Sequence, residues 1–203
     1  MGIIYQASNI HWNYFLAIES DFEKISRYVE FSEANNSTFS IELARIIMAG
    51  TQEIDGLMKK LCKLIRPGSD PQNIKHYRDI IKQDLPIITE EIVQIPRFGM
   101  SSVPWLNWQS NDDNNSPDWW IANNNIKHNR TENFEQANLK NAYNCVGALL
   151  MITLYYYKYK IESEQNQPIN WQELTSMLKP KATLFTLRDD YYYEPGTWAG
   201  IEW

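Results

Sequence analysis

The chain has 203 residues, of which 43% are hydrophobic, enough for one sizeable domain with a proper core and too many for a globally disordered chain. Its net charge of -6 argues against a grip on duplex nucleic acid through a broad basic surface, but leaves room for RNA at one local site. The two cysteines, Cys62 and Cys145, lie in apolar helical patterns without metal-ligand spacing, so they read as reduced, buried side chains and no structural zinc is expected.

In chain order, "MGIIYQASNIHWNYF" lacks the basic and long apolar regions of a signal peptide, and Gln6 breaks a myristoylation pattern. A first helix is predicted over Asn13–Phe31, where Phe15, Ile18, Phe22, Ile25 and Tyr28 or Val29 recur at helical spacing. After a polar loop, Ser40 reads as an N-cap with Glu42 in the first turn. The long helix that follows, to Ile65, carries Ile41, Ala44, Ile47, Met48, Ile54, Met58, Leu61, Cys62 and Ile65 on one stripe. Gly50 and Gly56 weaken it, so packing must carry it, and they suit the close approach of another helix. A third helix is expected over Pro71–Gln83, with proline in its first turn.

Residues 84–116 change character, since Pro86, Pro96 and Pro104 forbid a long helix, and they read as an irregular insertion with a small β element. Ser116-Pro117-Asp118 resembles a helix start with Ser116 as N-cap. The last long helix is predicted over Asn133–Lys160, with Phe134, Ala137, Asn141, Cys145, Ala148, Ile152 and Tyr155 inward, and "PINWQELTSML" as a short amphipathic helix closed by Pro180. Residues 181–203 form an aromatic extension, expected as a hairpin or strap over the helices, because a free tail so rich in aromatics would aggregate. The class is therefore all-α: a single helical domain over 1–203 with a small β or irregular appendage. No apolar run is long enough to span a bilayer, and a cytoplasmic protein is expected.

The chemistry concentrates in "PDWWIANNNIKHNR", Pro117 to Arg130. Only three histidines exist, His11, His76 and His128; "NIKHYR" around His76 echoes "NIKHNR" around His128 without a wider repeat, and His128 is the one preceded by three consecutive asparagines. Asn124 precedes it by four residues and shares its helix face; Asn123 is partly offset; Lys127 and Arg130 add positive charge. These are the parts of metal-independent phosphodiester cleavage: a group to take a proton and groups to stabilise charge on phosphorus. The competing reading is a polar helix start whose asparagines cap and turn, with Trp119 and Trp120 as core anchors rather than a base-stacking platform. Elsewhere, Glu42 and Arg45 at i,i+3 read as an ion pair on a solvated face shared with Glu53 and Asp55, and Asp189-Asp190 beside Arg188 makes a poor metal pair. No Walker, GxGxxG, HExxH, GxSxG or EF-hand pattern appears, and no cofactor or metal is expected.

A helical bundle whose last long helix follows "NNNIKHNR" resembles the HEPN superfamily, small α-helical proteins of prokaryotic toxin–antitoxin, abortive-infection and other defence systems. The stretches "FLAIESDFEKISRYVEF", "SIELARIIMAG" and "WWIANNNIKHNRTENFEQANLKNAYNCVGALL" also look like a group of prokaryotic proteins of similar length. The active HEPN pattern is an arginine, then four to six residues, then a histidine, paired across a homodimer. Carried over, His128 matches the histidine and Asn124 the polar residue, while the arginine position falls on Asn123. An arginine offers phosphate a permanent charge and a planar fork, an asparagine only a neutral amide. The resemblance implies an RNase or RNA-binding protein of a stress or phage-defence system. In it His128, Asn123 and Asn124 are catalytic and Lys127 and Arg130 hold the substrate, with a homodimer and a partner protein from the same operon. The alternative is a non-catalytic interaction or regulatory module on the same scaffold.

Overall fold

The computed structural model describes residues 8–110 and 115–193. Their architecture is an all-α bundle with one two-stranded sheet as appendage: α1 (Ile10–Ile25), α2 (Ile41–Ile65), α3 (Ile74–Asp84), β1 (Val93–Ile95), β2 (Met100–Ser102), α4 (Asp118–Asn133), α5 (Leu139–Gln165) and α6 (Trp171–Met177).

α5 is the axis of the core. Residues 145–155 are buried without interruption, so this stretch is covered on every side rather than along one stripe. α2 lies against it along its length, α1, α4, α6 and β1 cover other sides, and α3 packs outside α2. The α2–α5 contact is close at Gly50, where a Cβ would lie 2.9 Å from Cys145 Sγ; at Gly56 a Cβ would meet nothing within 4 Å. Thus only one of the two glycines serves helix approach. Both cysteines are free and buried, and burial pushes each thiol up to about 12.

Several boundaries follow local capping chemistry. Ser40 caps α2 as expected, its hydroxyl accepting from Leu43 N–H at 3.1 Å. The buried face of α2 takes in Ala44, Ile47, Ile54, Met58, Leu61 and Cys62 of the predicted stripe and widens to include Leu43, Ile46 and Leu57, whereas Ile41 and Met48 are exposed. α1 starts earlier and stops earlier than predicted, because the chain turns at Ser26, whose hydroxyl donates to Glu23 O. α3 begins after Asn73, whose side chain accepts from Lys75 and His76 N–H, so the asparagine rather than Pro71 sets the start. Similarly, α5 starts after Asn138, which caps Asn141 N–H; Phe134–Gln136, expected inside this helix, form a separate 3-10 turn. A bridge between Phe39 and Asn138 ties the starts of α2 and α5 together.

Pro86–Thr89, Pro96–Phe98 and Leu106–Gln109 form 3-10 turns around the sheet, in which β1 pairs antiparallel with β2 and, on its other side, with Thr186. Residues 181–193 run as a strap over the bundle; the rest of the aromatic extension lies outside the described residues, as does the N-terminal stretch 1–7. Two buried carboxylates fasten the strap. Glu19 on α1 accepts from the N–H groups of Thr183, Leu184 and Phe185 at 3.1, 3.1 and 2.9 Å. Glu91 lies 3.3 Å from Arg188 Nη2. Tyr191 adds a hydroxyl contact with Tyr155 at 2.9 Å. No helix among the described residues is long and apolar enough to cross a membrane.

Candidate functional site

α4 carries the motif and has two faces of opposite character. Trp119, Ala122 and Ile126 are buried at i, i+3 and i+7, with Trp120 beside them. Trp119 Nε1 donates to Pro104 O at 2.9 Å, and its ring meets Trp105 edge-on at 5.1 Å. "PDWW" is therefore the anchor of α4, with no stacking surface left over. The helix starts one residue later than predicted: Pro117 holds the N-cap position and accepts from Trp120 and Ile121 N–H through its carbonyl, while Ser116 makes no cap.

The opposite face holds the candidate residues. Asn123 is half-buried; Asn124, Lys127, His128 and Arg130 are exposed. Asn124 and His128 form one i,i+4 column, Asn123 and Lys127 the next, and Asn123 Nδ2 donates to Asn124 Oδ1 at a long 3.5 Å. The helix breaks at Asn129 (φ -147°, ψ 68°), one residue after His128. The broken turn is repaired locally: Asn129 Nδ2 donates to Glu132 Oε2 at 2.6 Å, and Asn133 Nδ2 to Asn129 O at 2.8 Å. Arg130 lies beyond the break with its guanidinium 4.8 Å from the centre of the Phe134 ring. So four of the five candidate residues reach solvent on one helix face, while Arg130 is separated by a kink and rests on an aromatic ring.

His128 has no hydrogen-bond or ion-pair partner among the described residues, and the main cavities of the chain are lined by other side chains. The hydrogen-bond hub of this region lies one residue away from the expected set. Asn125 Nδ2 donates to Gln136 Oε1 at 2.9 Å, Gln136 Nε2 to Asn133 Oδ1 at 3.0 Å, and Asn141 Nδ2 to Gln136 O at 2.9 Å. This network locks α4 to α5, so of the three consecutive asparagines the last is structural. Its one signal in the sequence is that Asn125 directly precedes the apolar Ile126; the partner Gln136 is not readable from spacing.

A second histidine is more tightly built in. His11 Nδ1 lies 2.5 Å from Glu53 Oε1, and Lys60 Nζ lies 2.8 Å from His11 Nε2. With Nδ1–H donating to the carboxylate, Nε2 accepts from the ammonium, and both ring nitrogens are occupied. The Tyr156 ring stands edge-on to the imidazole at 5.2 Å. This string joins α1 to α2, 42 residues apart in sequence; reading the sequence placed Glu53 on a solvated face and gave His11 no role. The Glu42–Arg45 pair forms as expected, at 2.5 Å on the surface. Asp189 and Asp190 sit in a 3-10 turn rather than a strand, with Asp190 paired to Arg188 at 3.4 Å. No group of three His, Cys, Asp or Glu side chains among the described residues is placed to hold a metal ion.

Comparison with protein-family models, with curated proteins and with solved structures finds no match to this chain.

Proposed function

We propose that the chain is a HEPN-like RNA-binding protein of a prokaryotic stress or phage-defence system, and that a homodimer completes a metal-independent endoribonuclease site. The observation that supports this reading is the solvent-facing His128, without an intramolecular partner among the described residues, flanked by Asn124 and Lys127 on one helix face. An imidazole left unengaged on the surface is available to a ligand, whereas His11 is consumed by its neighbours.

The chemistry this face would perform is transesterification. His128 takes the proton of a ribose 2′-hydroxyl; the oxygen attacks the adjacent phosphorus; the 5′-oxygen leaves and takes up a proton from a second acid, giving a 2′,3′-cyclic phosphate. Lys127, Arg130 and the amides of Asn123 and Asn124 stabilise the charge on the non-bridging oxygens. One helix face supplies neither the second acid nor the exclusion of water, and the His128 of a second copy would supply the first. The test is incubation of purified protein with total RNA in the presence of a chelator. Cleavage by the wild-type chain and none by His128→Ala, at unchanged melting temperature, is the expected result; equal cleavage by both, or none by either, refutes the nuclease.

A non-catalytic interaction module is the second reading, favoured by a half-buried neutral Asn123 where the resemblance places an arginine. Under it, Lys127→Ala and Arg130→Ala leave RNA uncut as in the wild type.

A further inference from the structure

β2 is the outer strand of its sheet, and the pairing of β1 decides which way its backbone points. Gln94 donates to Thr186 O at 2.8 Å and accepts from Thr186 N–H at 2.9 Å. In an extended strand the N–H and C=O of one residue point to the same side, so those of Gln94 face away from β2. The pair Gln94↔Ser101 is then the one without hydrogen bonds, and Ser101 directs its N–H and C=O outward from the sheet. Neither group has a hydrogen-bond partner among the described residues, and Ser101 is exposed.

This open edge borders a groove. Gly99–Ser102 form one wall of a cavity of about 390 Å³, faced by Asn36 and by Lys140 and Asn144 of α5. A second cavity of about 280 Å³ shares Ser102, Lys140 and Asn144 and continues along the chain past Leu106, whose side chain is 54% exposed. The buried Oδ1 of Asn36 has no hydrogen-bond partner among the described residues. Lys140 is the cation of the groove, its closest carboxylate being Asp118 at 4.0 Å. Glu33 and Asp118 in the same lining work against a polyanionic strand.

We propose that this groove binds an extended peptide segment of another protein by strand addition to β2. The peptide would exchange one pair of backbone hydrogen bonds with Ser101, set an acidic side chain on Lys140, and cover Leu106 with an apolar one. The site is separate from the α4 face, so it stands whether or not the chain cuts RNA.

The test pans a phage-displayed random octapeptide library against the full chain and measures enriched peptides by fluorescence anisotropy. Because a single residue of β2 offers its backbone, N-methylation should weaken binding at least tenfold at one peptide position and leave both adjacent positions unaffected. Lys140→Ala should weaken acidic peptides and not their neutral counterparts, and the Ser101 amide should shift in ¹⁵N-resolved spectra on titration. The proposal is overturned by failure to enrich any peptide, by binding indifferent to N-methylation throughout, by single-stranded oligouridylate shifting the Ser101 amide where peptides do not, or by self-association of the chain that occupies β2 and excludes them.

Discussion

Removing the Glu19 carboxylate should loosen the strap while leaving the rest of the bundle in place. Glu19 is 2% exposed, and its two oxygens accept three backbone N–H groups from a segment more than 160 residues away. In Glu19→Ala the Leu184 and Phe185 N–H groups, whose bonds are buried, lose their acceptor; the Thr183 N–H, nearer the surface, can turn to water. A buried donor left unpaired costs about 1–3 kcal/mol, so two cost about 2–6 kcal/mol. Part of this is offset, because burial pushes the Glu19 carboxyl above its ordinary range and the carboxylate is itself desolvated at a cost, which leaves a net loss of about 1–4 kcal/mol. For a domain of this size that is a fall of about 2–16 °C in melting temperature. Urea unfolding followed by circular dichroism gives the free energy, and hydrogen exchange locates it. The amides of 183–185 should exchange far faster in the variant, while those of α5 change only with global stability. A loss below about 1 kcal/mol, or unchanged exchange at 183–185, refutes the claim that Glu19 holds the strap.

The two glycines of α2 should respond with opposite signs. Gly50→Ala drives a methyl to 2.9 Å from the buried Cys145 Sγ and should destabilise by about 1–2 kcal/mol, a loss relieved in the Gly50→Ala/Cys145→Ala double variant; Gly56→Ala meets nothing and should stabilise by about 0.5–1 kcal/mol, both read from urea midpoints. For Glu91, burial raises the carboxyl and Arg188 only partly pulls it back. A folded-state value above the unfolded one means that the contribution to stability is complete below the ordinary carboxylate range and is lost as pH rises through the raised value. Glu91→Gln should therefore flatten that part of the decline in melting temperature above the ordinary range, and a slope identical to wild type would refute it. Gln136→Ala removes the side chain that ties Asn125 to Asn133, leaving the backbone carbonyl that holds Asn141, and should cost about 1–2 kcal/mol, with faster exchange in α4 and without the loss of RNA cleavage expected of His128→Ala.

The parts of the fold legible in the sequence are those fixed by near neighbours. Ser40 before α2 satisfies the N–H group three residues on, so this start follows from a few adjacent side chains; the capping box of Asn170 and Glu173 at α6 is equally local, although no cap is predicted there from the sequence. The anchoring role of Trp119 and Trp120 was legible for a related reason: large apolar rings beside a helix start have few other places to go. α5 shows the limit. Its stripe could be listed, but burial on every side from 145 to 155 depends on α1, α2, α4, α6 and β1 arriving around it.

The polar contacts show that limit more sharply. Asn123–Arg130 could be recognised as a cluster because they are consecutive, yet which asparagine faces solvent and which is tied to Gln136 depends on the turn that brings Phe134–Gln136 back under α4. Glu19 and its three amides, His11 between Glu53 and Lys60, and the Gln94–Thr186 bridge that turns the backbone of Ser101 outward are all pairings across long stretches of chain. Periodicity and capping act over one or two helical turns, so composition and local pattern were enough to specify an all-α chain and the start of α2, while the starts of α1, α3, α4 and α5 shifted by one to six residues. The direction of a backbone carbonyl or the partner of a buried carboxylate is decided only when distant segments dock, because only then does removal from water force each polar group to find a particular partner.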